Sequence, residues 1–189
     1  VYAGSALRTS IWQWNNRLEF RDGNNTDKWT ARTSIYHPLS DAIATGGSLD
    51  YFHSENKDKY SKKLDAKFDL AIRPRKDPYA LLLQTRWVQE ADGGQGTPAR
   101  SRRLINNAHV NWLITARDQL AAQYGIKRVL DQYNSNDYAA TTDFIAAEWR
   151  HHLNDRWDLG AHARRLHGYQ VNQTKQGYGV SVGWIPKTN

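Results

Sequence analysis

Arg156-Trp-Asp-Leu-Gly-Ala-His-Ala-Arg-Arg-Leu-His-Gly-Tyr169, then a polar loop, then Gly177-Tyr-Gly-Val-Ser-Val-Gly-Trp184 is the stretch that decides the fold. In its first run Trp157, Leu159, Ala161 and Ala163 share one parity, and Asp158, Gly160, His162 and Arg164 the other. In its second, Tyr178, Val180, Val182 and Trp184 alternate with Gly177, Gly179, Ser181 and Gly183. Side chains of a strand point alternately to opposite faces, so each run has one apolar and one polar surface. Aromatics bracket the second apolar row, and the polar row of the first carries both signs of charge. A strand with lipid outside and water inside reads this way.

The length of 189 residues suits one domain, a single β-barrel over 1–189. With 39% apolar and 24% charged residues, no segment approaches the roughly 20 apolar residues of a spanning helix. The mean hydropathy of -0.81 leaves a membrane open all the same. Barrel strands need only about 9 to 11 residues, every second one apolar, and escape a hydropathy window. Cysteine is absent, which excludes disulfides and thiolate metal sites. Methionine is absent even at position 1, so Val1 reads as the start of a processed chain or an excised domain. The net charge of +7 suits anionic neighbours. Nucleic-acid surfaces interleave aromatics with basic residues. Here the aromatics stand on the apolar rows, so nucleic acid is not expected as a partner.

Outward from the hairpin, the same alternation marks ten runs, and almost nothing reads as a helix. The cleanest is Leu64, Ala66, Phe68, Leu70 and Ile72 against Asp65, Lys67, Asp69, Ala71 and Arg73. Tyr79, Leu81, Leu83, Thr85 and Trp87 form the next, followed by Ala108 to Ile114, Leu120 to Ile126 and Ile145 to Trp149. Toward the N-terminus, Leu7 to Arg21 reads as one run, with Trp12, Trp14, Leu18 and Phe20 opposing Asn15, Arg17, Glu19 and Arg21. Trp29 to His37 and Ile43 to His53 are weaker, and Gly46-Gly47 in the latter signals a bulge or a close backbone approach.

Connections add a second pattern. Those after odd runs are long or very polar (Asp22 to Lys28, Ser54 to Lys62, Glu90 to Ser101, Gln132 to Asp137, Gln170 to Gln176). Those after even runs are tight, as in Pro38 to Asp41, Thr115 to Asp118 and Leu153 to Arg156, with Pro74 to Pro78 slightly longer. Transmembrane barrels alternate long extracellular loops with short periplasmic turns. The expected fold is therefore an all-β, antiparallel, up-and-down transmembrane β-barrel of about ten strands, with both chain ends on the periplasmic side. The alternative is a soluble β-barrel binding module for a small or anionic ligand, its Leu, Ile and Trp rows packed inside.

The wording of the last third resembles the C-terminal barrel domain of large Gram-negative surface proteins. The likeness rests on Gln123-Tyr-Gly-Ile-Lys-Arg128, Thr142-Asp-Phe-Ile-Ala-Ala-Glu148, Arg156-Trp-Asp-Leu-Gly160 with Leu166-His167, and Gly179-Val-Ser-Val-Gly183. Trp14-Asn-Asn-Arg-Leu-Glu-Phe20 adds to it more weakly. The resemblance implies a bacterial outer-membrane β-barrel. Domains of this kind continue past the final turn with another aromatic-rich hairpin, whereas this sequence stops at Asn189 in what reads as that turn.

On this reading the inward residues are Arg17, Glu19, Asp65, Lys67, Asp69, Arg86, His109, Lys127, Glu148, Arg150, Asp158, His162 and Arg164. Opposite charges on neighbouring strands are expected to pair, which avoids stranding charge in a low-dielectric interior. About eight strands leave a lumen just filled by side chains and sixteen a wide channel, so ten give a narrow or plugged one. The expected role is a narrow pore for ions or small solutes, or a membrane anchor. Trp14, Tyr79, Trp87, Trp112, Trp149, Trp157, Tyr178 and Trp184 are the candidates for interfacial girdles.

Other motifs carry less. His151-His152, His162 and His167 could approach Asp155 or Asp158, but adjacent strand histidines face opposite ways and cannot hold one metal without a bulge. No hydrolase or HExxH signature occurs, so neither enzyme activity nor a cofactor is expected. Gly93-Gly-Gln-Gly96 opens no helix and reads as a flexible external loop. Beside it Arg100, Arg102 and Arg103, with Lys57, Lys59, Lys62 and Lys63, would sit at the outer rim facing lipopolysaccharide. The partners expected are thus the lipid bilayer and lipopolysaccharide.

Overall fold

The computed structural model describes residues 1–23, 25–94, 98–133 and 136–184. Within them the chain is a single sheet of 11 strands in sequence order, every neighbour antiparallel. These are β1 (Tyr2–Arg8), β2 (Gln13–Arg21), β3 (Thr26–Pro38), β4 (Ile43–Asn56), β5 (Lys59–Ile72) and β6 (Tyr79–Gly94), followed by β7 (Ala99–Leu113), β8 (Asp118–Tyr133), β9 (Asn136–His152), β10 (Trp157–Gly168) and β11 (Gln173–Trp184). Among the described residues β1 and β11 pair with no further strand. The turn read at Pro186–Asn189 and the centre of the Gly93–Gly96 loop lie outside the described residues.

Eleven strands replace the expected ten because the first run is a hairpin. Thr9 folds it: its Oγ1 accepts the amide of Trp12 at 2.9 Å, while its own amide donates to the Trp12 carbonyl at 2.7 Å. Leu7 and Trp14 consequently face each other across two strands. The odd count also overturns the expectation that both ends leave on one side. β1 and β11 run in the same direction, so Tyr2 and Trp184 lie at opposite rims.

The same device recurs along the rim that holds the turn at Thr9, here called the lower rim. Ser40 Oγ accepts the Ile43 amide at 3.1 Å, Thr115 Oγ1 the Asp118 amide at 2.9 Å and Asn154 Oδ1 the Trp157 amide at 3.1 Å. A short polar side chain bonding to the backbone just ahead of it fixes a tight turn.

The predicted contrast of long and short loops does not survive. Polar stretches at the upper rim continue the strands: Lys59 to Lys62 belongs to β5, Glu90 to Gly94 to β6, Ala99 to Ser101 to β7 and Gln173 to Gln176 to β11. Composition marked them as loop, yet their backbones pair in the ladder, as Asn56 with Lys59 and Glu90 with Ser101. The widest gap between strands is instead at the lower rim, residues 73–78. Nor is there a bulge at Gly46-Gly47, where the β4 ladder runs unbroken on both sides. The close approach expected there is real, since a Cβ on Gly47 would stand 3.0 Å from the Lys67 carbonyl oxygen.

The sheet has no dry core. Val88 is the one buried apolar residue among those described, whereas Phe68 is 55% and Val180 85% exposed. The apolar rows do not meet in an interior, as a soluble barrel would need.

Asn154→Ala removes the acceptor of the Arg156 and Trp157 amides and is expected to cost about 0.5–1.5 kcal/mol. Asn154→Asp, which keeps an acceptor oxygen, is expected to cost less. Urea titration of the folded chain in detergent measures both.

Candidate functional site

All the residues named from sequence as inward fall on one face. Side-chain parity passes unchanged across each ladder, because directly paired residues point the same way. Lys67 pairs with Arg86, Arg86 with Ile105 and Ile105 with Lys127. Glu148 pairs with His162, Arg150 with Gly160, and Asp158 with His152. Arg17 reaches the same face through Arg32 and Asp50, which opposes Asp65. Glu19, Asp69, His109 and Arg164 follow by the two-residue repeat.

Three groups of contacts divide this face. On β2 to β4, Arg17 Nη2 donates to Glu19 at 3.0 Å, Arg21 binds the same carboxylate, and Arg32 pairs with Asp50. On β5 to β7, Arg86 grips Asp65 with its Nε at 2.8 Å and its Nη2 on the second oxygen. Asp69 takes Lys67 at 3.1 Å and the Gln84 amide at 2.8 Å. Glu90 holds Lys63 at 2.9 Å together with Arg103. On β8 to β11 Arg150 is the one paired cation of this face among the described residues, with Glu148 at 3.2 Å. The predicted pairing of opposite charges thus occurs, half of it between neighbouring strands and half within one strand two residues apart.

Sequence reading missed Arg32, Asp50, Lys63, Glu90 and Arg103. The first two lie in runs with a weak apolar pattern, although Asp50 between Leu49 and Tyr51 carried the signal. The other three lie in or beside polar stretches whose composition reads as loop.

β11 gives the face a floor of glycine. A Cβ on Gly179 would stand 2.6 Å from the His162 ring, and one on Gly183 or Gly177 would crowd Asp158 or Arg164. Each glycine therefore lets a polar side chain of β10 lie flat across β11, where any larger residue would lift it.

Cavities gather on this face too. One of about 900 Å³ is lined by Arg73 to Arg75, Asp77, Ala80, Asn111 and Gln119. Another of about 220 Å³ is bordered by His109, Gln123, Glu148, His162 and Arg164.

Histidines are divided between the faces. His151 is on the apolar side and binds Asp118 through Nδ1 at 2.7 Å beside Trp149. His162 is on the polar side, and His167 on the apolar side bonds Thr174 at 2.8 Å. Among the described residues no three His, Asp or Glu side chains are placed to hold a metal. In the β10–β11 turn Tyr169 donates to Asp143 at 2.9 Å, and that hydrogen bond holds its phenol above the ordinary range.

The eight aromatics expected in girdles all lie on the apolar face and are exposed, from 37% at Trp87 to 78% at Tyr178. Six of them, Trp14, Tyr79, Trp112, Trp149, Trp157 and Trp184, lie toward the lower ends of their strands.

The chain matches no protein-family profile and no curated protein. Solved structures resemble it strongly in shape. The siderophore receptor PirA from Pseudomonas aeruginosa superposes at a TM-score of 0.80 over 99% of this chain, with 6% identity. OmpT, an outer membrane protein of Vibrio cholerae, gives 0.61 over 97% with 8% identity, and the ferric yersiniabactin uptake receptor FyuA from Yersinia pestis 0.56 over 96% with 13%. The fold is that of outer-membrane β-barrels. This chain spans 36% of the length of PirA, 63% of OmpT and 40% of FyuA. Transmembrane barrels in general turn an apolar band outward and keep a polar interior.

Gly179→Val is expected to destabilise the chain by about 1–3 kcal/mol through overpacking against His162. His162→Ala in the same chain should restore part of that loss. Chemical unfolding in detergent micelles, read by tryptophan fluorescence, compares the two.

Proposed function

We propose that this chain works in the bacterial outer membrane as a β-barrel whose polar face lines a narrow pore for ions or small solutes. One observation carries the reading: the charged side chains named from sequence share a single face, none of them is buried, and two cavities open on that face. Eleven strands lie between the roughly eight that side chains just fill and the sixteen that leave a wide channel. The exposed apolar face supports contact with lipid, and its aromatics would form the interfacial girdles. Lipid demands that every backbone group be paired, which a sheet achieves only as part of a closed barrel.

The role is passive, without catalysis or a cofactor. The likeness to the C-terminal barrels of large Gram-negative surface proteins suggests that the barrel also carries surface-exposed parts. Lipopolysaccharide is the expected neighbour at the upper rim. There the basic cluster read from sequence divides by parity. Arg103 and Lys63 turn inward onto Glu90, while Lys62, Arg100 and Arg102 lie on the outer face. Those three, with Arg128 and Arg165, would meet lipid phosphates.

Purified chain added to a planar bilayer is expected to give discrete single-channel steps. A flat baseline with the protein inserted would replace the pore with a membrane anchor. Leu70→Arg on the outer face is expected to lose about 2–4 kcal/mol of folding free energy in phospholipid vesicles. Asp69→Asn next to it, on the inner face, should lose at most about 1 kcal/mol. Equal losses would mean that the faces are reversed.

A further inference from the structure

The +7 charge of the chain is not spread evenly. Following parity through every ladder, the inner face of the strands carries fourteen Lys and Arg against nine Asp and Glu. The outer face carries five of each and is neutral. The excess of five positive charges on the inner face is most of the charge of the molecule.

Ion pairing does not cancel it. Glu19 is shared by Arg17 and Arg21, and Glu90 by Lys63 and Arg103, so the carboxylates of this face are outnumbered even where they are engaged. Among the described residues Arg8, Lys28, Lys59, Lys127, Arg164 and Lys175 have no carboxylate partner at all. Only Asp92, Asp131 and Asp158 are left over on the acidic side of the same face. Arg164 and Lys175 lie diagonally across the β10–β11 ladder, Arg164 opposite Gly177 and Lys175 opposite Leu166, so two free cations are neighbours. Arg164 also lies over the Gly177 backbone, which gives it no competing side chain.

We infer that the inner face selects small anions over cations. A cleft lined by one sign of charge between low-dielectric walls concentrates counter-ions, and Lys and Arg rows are the lining that favours anions. The unpaired cations are spread around this face, Arg8, Lys28 and Lys59 on β1, β3 and β5 and Lys127, Arg164 and Lys175 on β8, β10 and β11. The excess is positive on both parts of the sheet: on this face β2 to β7 carry nine Lys and Arg against six Asp and Glu, and β8 to β11 four against three. This inference rests on the pore reading given above and adds the sign of the permeant ion.

The test is the reversal potential of the inserted chain under a gradient of potassium chloride across a planar bilayer. The sign expected is that of chloride preference over potassium. Lys127→Glu with Arg164→Glu should lower the chloride-to-potassium permeability ratio severalfold. Lys62→Glu with Arg128→Glu makes the same change in total charge on the outer face and should leave the ratio where it was. A wild-type potential of cation sign overturns the inference while the pore stands, and so does an outer-face variant that shifts the ratio as far as the inner-face one. A chain that inserts but shows no conductance removes the pore reading, and this inference with it.

Discussion

A side-chain repeat of two, carried without a break through ten antiparallel ladders, is the constraint on which the rest of the structure depends. Each register runs residue by residue, with no bulge in any of them. One extra residue in any strand would move every later side chain on it to the other surface. The penalty here would be severe, because the two surfaces are built for different solvents. A slip in β5 alone would turn Phe68 and Leu70 toward Arg86 and place Lys67 and Asp69 among Leu83 and Tyr51.

That constraint explains how much was legible in the sequence. Parity is a local property, so which of Asp65, Glu148 and Arg164 share a face could be read from immediate neighbours, and the structure puts the three on one face. Strand ends are different, because hairpin pairing overrides composition. Lys59 to Lys62 and Glu90 to Asp92 have the residues of a loop, but they pair across short turns and draw further support from Glu90 with Lys63 and Arg103. The division of the first run was the other loss. Its signal was present, since Thr9-Ser-Ile-Trp12 repeats the spacing of Thr115-Ala-Arg-Asp118, with a hydroxyl accepting the amide three residues on. The apolar Ile11 and Trp12 inside the turn concealed it.

Stability in such a sheet has an unusual source. Among the described residues Val88 is the one buried apolar side chain, so they form no interior whose packing could carry the fold. What the chain offers instead is a continuous backbone ladder, polar clasps at the lower turns and charge pairs on one surface. The apolar surface contributes only when something apolar covers it, and lipid tails would do so. The glycines of β11 belong to the same economy of space, since they let Asp158, His162 and Arg164 lie low across the strand.

The parity of the strand count has its own geometric outcome. With β1 and β11 aligned head to head, joining them directly would give a ring with one parallel seam among ten antiparallel ones. Parallel pairing is slightly weaker per residue, and β1 has 7 residues to offer against 12 in β11. Such a seam would be the weakest line in the wall, beside the glycine row and the free cations of β10 and β11. A ring antiparallel all the way round takes an odd number of additional strands between those two edges, the first running upward beside Tyr178 and Val180.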